Sequence, residues 1–258
     1  MPKRAIIRTE AVVLRTLEYS ETSQIVTLFT EEKGKITVMA KGARRPNSSF
    51  GASLQPMAYT QVVFYYKPTR SMQMLSESAL VEPMHAIHRS LRTITIGLRI
   101  VELLRALMED EDPQPDAFAL TIHTLRRLNA AADRPGNVWP YFQLQLATQL
   151  GFAPSVKRAD VRQVPDGGGR LALESGAVLA AASAPSHATQ RRASRSALRA
   201  YAIFARADLD TIMRMRLTPA VRREAEQLVD AYMHYQFESA YPSKCREVIS
   251  QLMDASSA

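Results

Sequence analysis

Five histidines, one cysteine and a short acidic run are the residues whose chemistry would make this chain a catalyst or a metal protein. His85 and His88 are three apart and would share a helical face, but no Asp, Glu or Cys beside them completes a local ligand set of about four donors. A solvated pair near a helix start is the expectation. His123, His187 and His234 stand alone, and Cys245 has no neighbouring His to act as its base. The acidic run Glu109-Asp110-Glu111-Asp112 meets Pro113 and lacks the alternating oxygen ligands of a calcium loop, so it reads as a charged loop between helices. EEKGKIT lacks the spaced glycines and GK[ST] ending of a phosphate loop, and Gly167 to Gly169 lie between no clear strand and helix. No metal, no cofactor and no enzymatic centre are expected.

What remains is electrostatic. The net charge is +8 with a pI near 9.8, which favours a polyanionic partner. Residues 1–80 carry 11 Lys and Arg against 6 Glu, so much of the excess lies in the first third. Lys33, Lys35, Lys41, Arg44, Arg45, Lys67 and Arg70 fall at strand ends and loops, where one open rim would collect them to neutralise phosphates. The run KGARRPNSSFG, residues 41–51, is too long and too basic for a simple turn. Phe64, Tyr65 and Tyr66 are consecutive in one strand, so the outer two share a face; one or two of them would stack on bases, against a core role. Arg191, Arg195 and Arg199 recur every four residues and would line one helical face, with an ordinary wet surface as the simpler reading.

The elements that position these residues follow from periodicity. Five runs in the first 80 or so residues alternate apolar and polar side chains: TEAVVLRTLEY, QIVTLFT, KITVMAK, YTQVVFYYK and SMQMLSESALVE. Their short connections leave no room for crossover helices and predict a small antiparallel barrel, OB-like ahead of SH3-like. From Pro83 the period becomes helical, with Leu91, Ile94, Leu98, Val101, Leu104, Leu107 and Met108 as a buried face. Further helices are predicted through Phe118 to Leu128, Trp139 to Leu150, Ala197 to Leu209 and Pro219 to Phe237, while 155–185 reads as irregular. The fold class is therefore α+β: a five-stranded OB-fold barrel over 1–82, then an all-helical domain over 83–258 interrupted by a cysteine-free insertion at about 152–186. One cysteine forms no internal disulfide, Arg99 and Arg105 break the longest apolar stretch short of a membrane span, and the N-terminus has no apolar signal region. A cytoplasmic protein is expected.

EAVVLRTLEYSETSQIVTLFTEEKGKITVMAKGARRPNSSFGASLQPM resembles the N-terminal region of the RecO family of bacterial recombination mediators, with the KGARRP-S-FG loop almost whole. The likeness continues in HRSLRTITIGLRIVELLRALMEDEDPQPDAF, YFQLQLATQLGFAPSV and RREAEQLVDAYMHYQFE, in order along nearly the full chain. It implies an OB-fold joined to a helical domain, binding of single- and double-stranded DNA, strand annealing, and work with RecR to load RecA onto DNA coated by single-strand-binding protein. It also implies a nucleoid-associated location. Many members carry a four-cysteine zinc module after the segment matching GFAPS; residues 151–182 contain no cysteine, so zinc is expected to be absent. Lys41, Arg44 and Arg45 are then assigned to phosphates. Two other readings stay open: an RNA-binding OB protein, and an interaction adaptor whose apolar helices with Arg126, Arg127 or the Arg191 to Arg199 stripe receive the acidic, apolar tail of single-strand-binding protein.

Overall fold

A computed structural model describes residues 5–130, 134–180 and 189–242. They group into two compact units, one running to residue 130 and one from 131 to 241. The change from strand to helix periodicity near residue 82 thus falls inside the first unit.

That unit is built on five strands, β1 (Ala5–Glu18), β2 (Gln24–Thr30), β3 (Gly34–Ala40), β4 (Tyr59–Tyr66) and β5 (Met72–Glu82). β1 is long enough to pair with β2 through its second half and with β4 through its first, and a short parallel pairing of β3 with β5 closes the barrel in the order β1-β2-β3-β5-β4. This is the expected OB arrangement. Alternation explains it: β3 buries Ile36, Val38 and Ala40 and turns Lys35, Thr37 and Met39 outward. Val26, Leu28, Val62, Phe64 and Leu75 complete the interior. Gly34 takes φ +61° in the β2–β3 turn, the conformation a side chain disfavours.

Two helices, α1 (Leu91–Leu107) and α2 (Pro115–Asn129), belong to the same unit. They cover outward residues of β1 and β2: Phe29 is fully buried and meets Phe118 edge-on at 5.7 Å. Phe118, Ile122, Leu125 and Leu128 are buried as expected, and of the predicted face of α1 Val101, Leu104 and Met108 are buried, while the face widens toward other residues. Thr93, Ile96, Gly97, Ile100, Leu103 and Leu104 face inward, whereas Leu91 and Leu98 are exposed. Gly97 lies in this contact, where a Cβ would be 2.2 Å from the Met57 sulfur.

The second unit holds α3 (Val138–Gln149), α4 (Arg158–Gln163), α5 (Arg195–Arg206), α6 (Leu209–Arg214) and α7 (Pro219–Phe237). Pro219 sits in the first turn of α7, where its missing N–H costs nothing. Trp139, Phe142, Leu146, Tyr201, Phe204 and Tyr232 form the core. The unit is not all helical. β6 (Gly169–Ala172), β7 (Val178–Ala180) and β8 (Gln190–Ala193) make a three-stranded sheet in the order β7-β6-β8. The stretch expected to be irregular therefore carries α4, β6 and β7 as far as residue 180, and residues 181–186 lie outside those described. Strands of three or four residues are too short to show a period of two.

Candidate nucleic-acid interface

Strand register sorts the seven predicted cations onto opposite ends of the barrel. At one end Thr30 faces Gly34 and Ala5 faces Tyr66; at the other Glu18 faces Gln24, which faces Ala40. Lys33, Lys35, Lys67 and Arg70 flank the first end, and Lys41, Arg44 and Arg45 the second. The expectation of a single collecting rim is corrected: loops at opposite ends of a strand cannot meet when about 3.3 Å separates successive residues.

The first end is closed by the acidic run. Where β3 runs beyond its short pairing with β5, the Glu111 N–H donates to the Lys35 carbonyl at 2.9 Å, and Lys35 and Asp110 form an isolated parallel bridge. Gly34 admits this approach, since a Cβ there would lie 2.0 Å from the Asp112 carbonyl oxygen. Lys35 Nζ is drawn inward, 3.1 Å from the Arg105 carbonyl and 3.2 Å from an Asp110 carboxylate oxygen, with its side chain 17% exposed. Lys35 is therefore a structural cation. The Tyr66 hydroxyl donates to Glu111 at 2.9 Å, which raises the phenol pKa, and Lys33 lies over the Tyr66 ring at 5.1 Å. Buried Gln73 clamps the Lys67 to Arg70 turn through Lys67 N, Lys67 O and Arg70 O, at 2.9, 3.1 and 2.7 Å. A cavity of about 410 Å³ opens here between Lys35, Thr37, Arg70, Asp110 and Glu111. Its walls mix both signs of charge.

The second end is open and basic. The loop from Lys41 to Gly51 is tied down from within: Phe50 and Leu54 enter the barrel core, with Ala43 packed against it. Gly42 at φ +75° starts a turn in which Arg45 N–H donates to the Gly42 carbonyl at 3.1 Å and Ser48 N–H to the Arg45 carbonyl at 3.0 Å. Arg44 is held sideways, its backbone N–H on the Thr22 carbonyl at 3.1 Å, one guanidinium nitrogen on the Ser20 carbonyl at 2.9 Å and another on Glu18 at 2.9 Å. Lys41 and Arg45 are exposed and make no ion pair among the described residues. Ordered backbone with free cations suits phosphate contact, because ordering the loop on binding costs little further entropy.

Of the three aromatics, Phe64 is core and Tyr66 is half-buried over the closed end, on the same face as the alternation requires. Tyr65 points outward, half-buried, in register with Ile6 and Met74. The basic stripe does not form on one helix. Arg191 lies in β8, Arg195 opens α5 and pairs with Asp166 at 2.5 Å, and only Arg199 is an exposed helical arginine of the three. A β-strand spaces residues differently from a helix, so the repeat of four breaks at Ser194, the α5 N-cap. Arg126 is engaged with Glu82 at 2.7 Å and lies over the Tyr59 ring at 5.4 Å. Tyr59 is pushed up to about 12, first by burial and then by its hydrogen bond to Glu10.

Sequence reasoning missed the anchors Phe50 and Leu54 and the acidic cover. Phe50 gave a signal, being a lone aromatic in a polar loop. Among the described residues no group of three or more His, Cys, Asp or Glu is placed to hold a metal, and residues 151–182, where the resemblance would put four thiolates, offer no cysteine side chain. Those residues do not fit zinc. Among the described residues no helix is long and apolar enough to cross a membrane.

Residues 3–84 match the family described as Recombination protein O N terminal, and residues 88–244 match Recombination protein O C terminal. The chain is 60% identical to a DNA repair protein RecO from Salinibacter ruber over 255 residues, covering 99% of this chain and 97% of that one. It is 29% identical to DNA repair protein RecO of Chloroherpeton thalassium, over 96% of this chain and 99% of the relative. The Bacillus subtilis DNA repair protein RecO is 26% identical over 96% of this chain and 95% of its own length. With two family matches spanning most of the sequence and a relative this similar over nearly its whole length, the chain belongs to the RecO family of DNA repair proteins.

Proposed function

We propose that this protein is a recombination mediator that binds single- and double-stranded DNA through the open end of its barrel, anneals complementary strands, and works with RecR to load RecA onto DNA coated by single-strand-binding protein. The observation that carries the DNA contact is the anchored 41–51 loop, with Lys41 and Arg45 exposed beside an Arg44 held by Glu18 and Ser20. Phosphate contacts position a strand without reading its bases, so little sequence preference is expected. A basic surface holding two strands screens their repulsion and leaves base edges free to pair, which gives annealing its physical basis. RecR, RecA and the tail of single-strand-binding protein enter through the family resemblance.

The test is fluorescence annealing of complementary single strands, bare and coated with single-strand-binding protein. Wild type should anneal both, and Lys41→Ala with Arg45→Ala should slow both. Annealing unchanged in a folded double variant would remove the barrel-end assignment, and none by folded wild type would remove the mediator reading.

A further inference from the structure

The end of the barrel that carries Lys41 and Arg45 also presents an aromatic ring. Tyr19 opens the turn between β1 and β2 and is 58% exposed, the one exposed aromatic side chain of the first unit among the described residues. Its side chain makes no hydrogen bond and no ring contact with a described residue. The three aromatics expected to stack on bases are used otherwise: Phe64 lies in the core, Tyr66 is bonded to Glu111, and Tyr65 is half-buried.

A single exposed ring is ordinary on a protein surface, but this one stands on a fixed backbone. The Tyr19 N–H donates to the Ser23 carbonyl at 3.1 Å, and the Ser23 N–H to the Ser20 hydroxyl at 3.2 Å. Arg44 then ties the turn to the basic loop, reaching Glu18 on one side of Tyr19 and the Ser20 and Thr22 carbonyls on the other. The ring is thus held beside the cations before any ligand arrives, which lowers the entropic cost of binding.

The surface behind it supplies a second, independent observation. Leu17, 43% exposed, pairs with Ile25, and Ile25 pairs with Met39, so three apolar side chains lie next to one another across the outer face of β1, β2 and β3. Attraction to phosphate does not account for the turn, whose charged residues are Glu18 and Glu21. Its chemistry suits the flat face of a base.

We propose that Tyr19 stacks on an unpaired base while Lys41 and Arg45 hold the phosphates beside it, so that this end of the barrel distinguishes single-stranded from double-stranded DNA. The inference rests on the barrel-end reading above and adds a base contact to it. Every base has an aromatic face, so stacking is tolerant of sequence. A duplex buries those faces against one another and leaves its phosphates to the two cations. Annealing then acquires a direction: when two strands pair, the base leaves Tyr19 and the product is held by charge alone.

The experiment is fluorescence anisotropy across a salt series, with the full chain and three ligands: an oligothymidylate, an abasic strand of the same length and a long duplex. Tyr19→Ala should weaken oligothymidylate binding roughly tenfold with the salt slope unchanged, and should leave the abasic strand and the duplex unaffected. Tyr19→Phe should bind all three as wild type does, because the ring and not the hydroxyl makes the contact. The position is exposed, and circular dichroism checks that each variant is folded. Lys41→Ala with Arg45→Ala should weaken all three ligands, which separates the two assignments. If it does so while Tyr19→Ala binds the oligothymidylate as wild type does, the stacking fails and the phosphate contact stands. A Tyr19→Ala loss of equal size on the abasic strand or the duplex also overturns the stacking, since neither offers a free base face along its length.

Discussion

The two ends of the barrel carry similar numbers of cations and offer different electrostatics. At one end Lys33, Lys35, Lys67 and Arg70 meet an acidic run that hydrogen-bonds to β3 and pairs with Lys35. At the other, Lys41 and Arg45 stand on a loop anchored in the core by Phe50, and among the described residues only Arg44 has a carboxylate partner. The difference is one of cover and not of pairing: among the described residues one cation at each end, Lys35 or Arg44, has a carboxylate partner, but at the first end Asp110 and Glu111 add negative charge beside the others. A cation already paired must break that pair before it can release a counterion from DNA, so the count of lysines and arginines at a rim overstates its affinity.

Removing the anchor of the basic loop should have the largest effect. Phe50→Ala should cost about 3 kcal/mol in urea unfolding, the usual loss for a buried phenylalanine, and should weaken DNA binding as the 41–51 loop loses its inner contact. Full stability in that variant would mean the loop is not held from within. Lys41→Ala with Arg45→Ala comes next in size. Affinity for single strands should fall about tenfold, or about 1.4 kcal/mol, and the slope of log affinity against log salt should flatten by about 1.4, as two lost phosphate contacts predict. An unchanged slope, read by fluorescence anisotropy across a salt series, would move the contact elsewhere.

Neutralising the acidic cover should act in the opposite sense and less strongly. Asp110→Asn with Glu111→Gln is expected to raise DNA affinity by about threefold, because two repulsive charges leave the closed end. A loss of affinity would show that the cover supports binding instead. The smallest effect is on pH. The neutral Tyr66 phenol donates to Glu111 and so has a pKa raised above its ordinary 10.0. That contribution to stability is complete below the ordinary value and is lost as pH rises through the raised one. Alkaline unfolding of wild type and Tyr66→Phe should differ below that range and converge above it; parallel curves would deny the bond.

Much of the fold was legible in short range. The ends of the five strands fall within a few residues of the alternating runs, and Pro219 and Phe237 bound α7 as the helical pattern suggests. The face of α1 was legible in part: Val101, Leu104 and Met108 are buried as the spacing suggests, but Leu91 and Leu98 are exposed and Thr93 and Gly97 face inward, because apolar counting gives no weight to small and polar residues. The small β6 to β8 sheet was missed for want of length, and the repeat of Arg191, Arg195 and Arg199 misled because a strand and a helix share it.

The sequence by itself determined the α+β class, the barrel and helices, the basic excess and the loop at Lys41 to Gly51, because alternation, capping and turn chemistry act between neighbours in the chain. Tertiary structure alone decided which cations are free. Lys35 and Asp110 are separated by 75 positions in the chain and yet lie 3.2 Å apart, as barrel closure and helix packing require. Charge pairing depends on distance in space, and no local pattern encodes it.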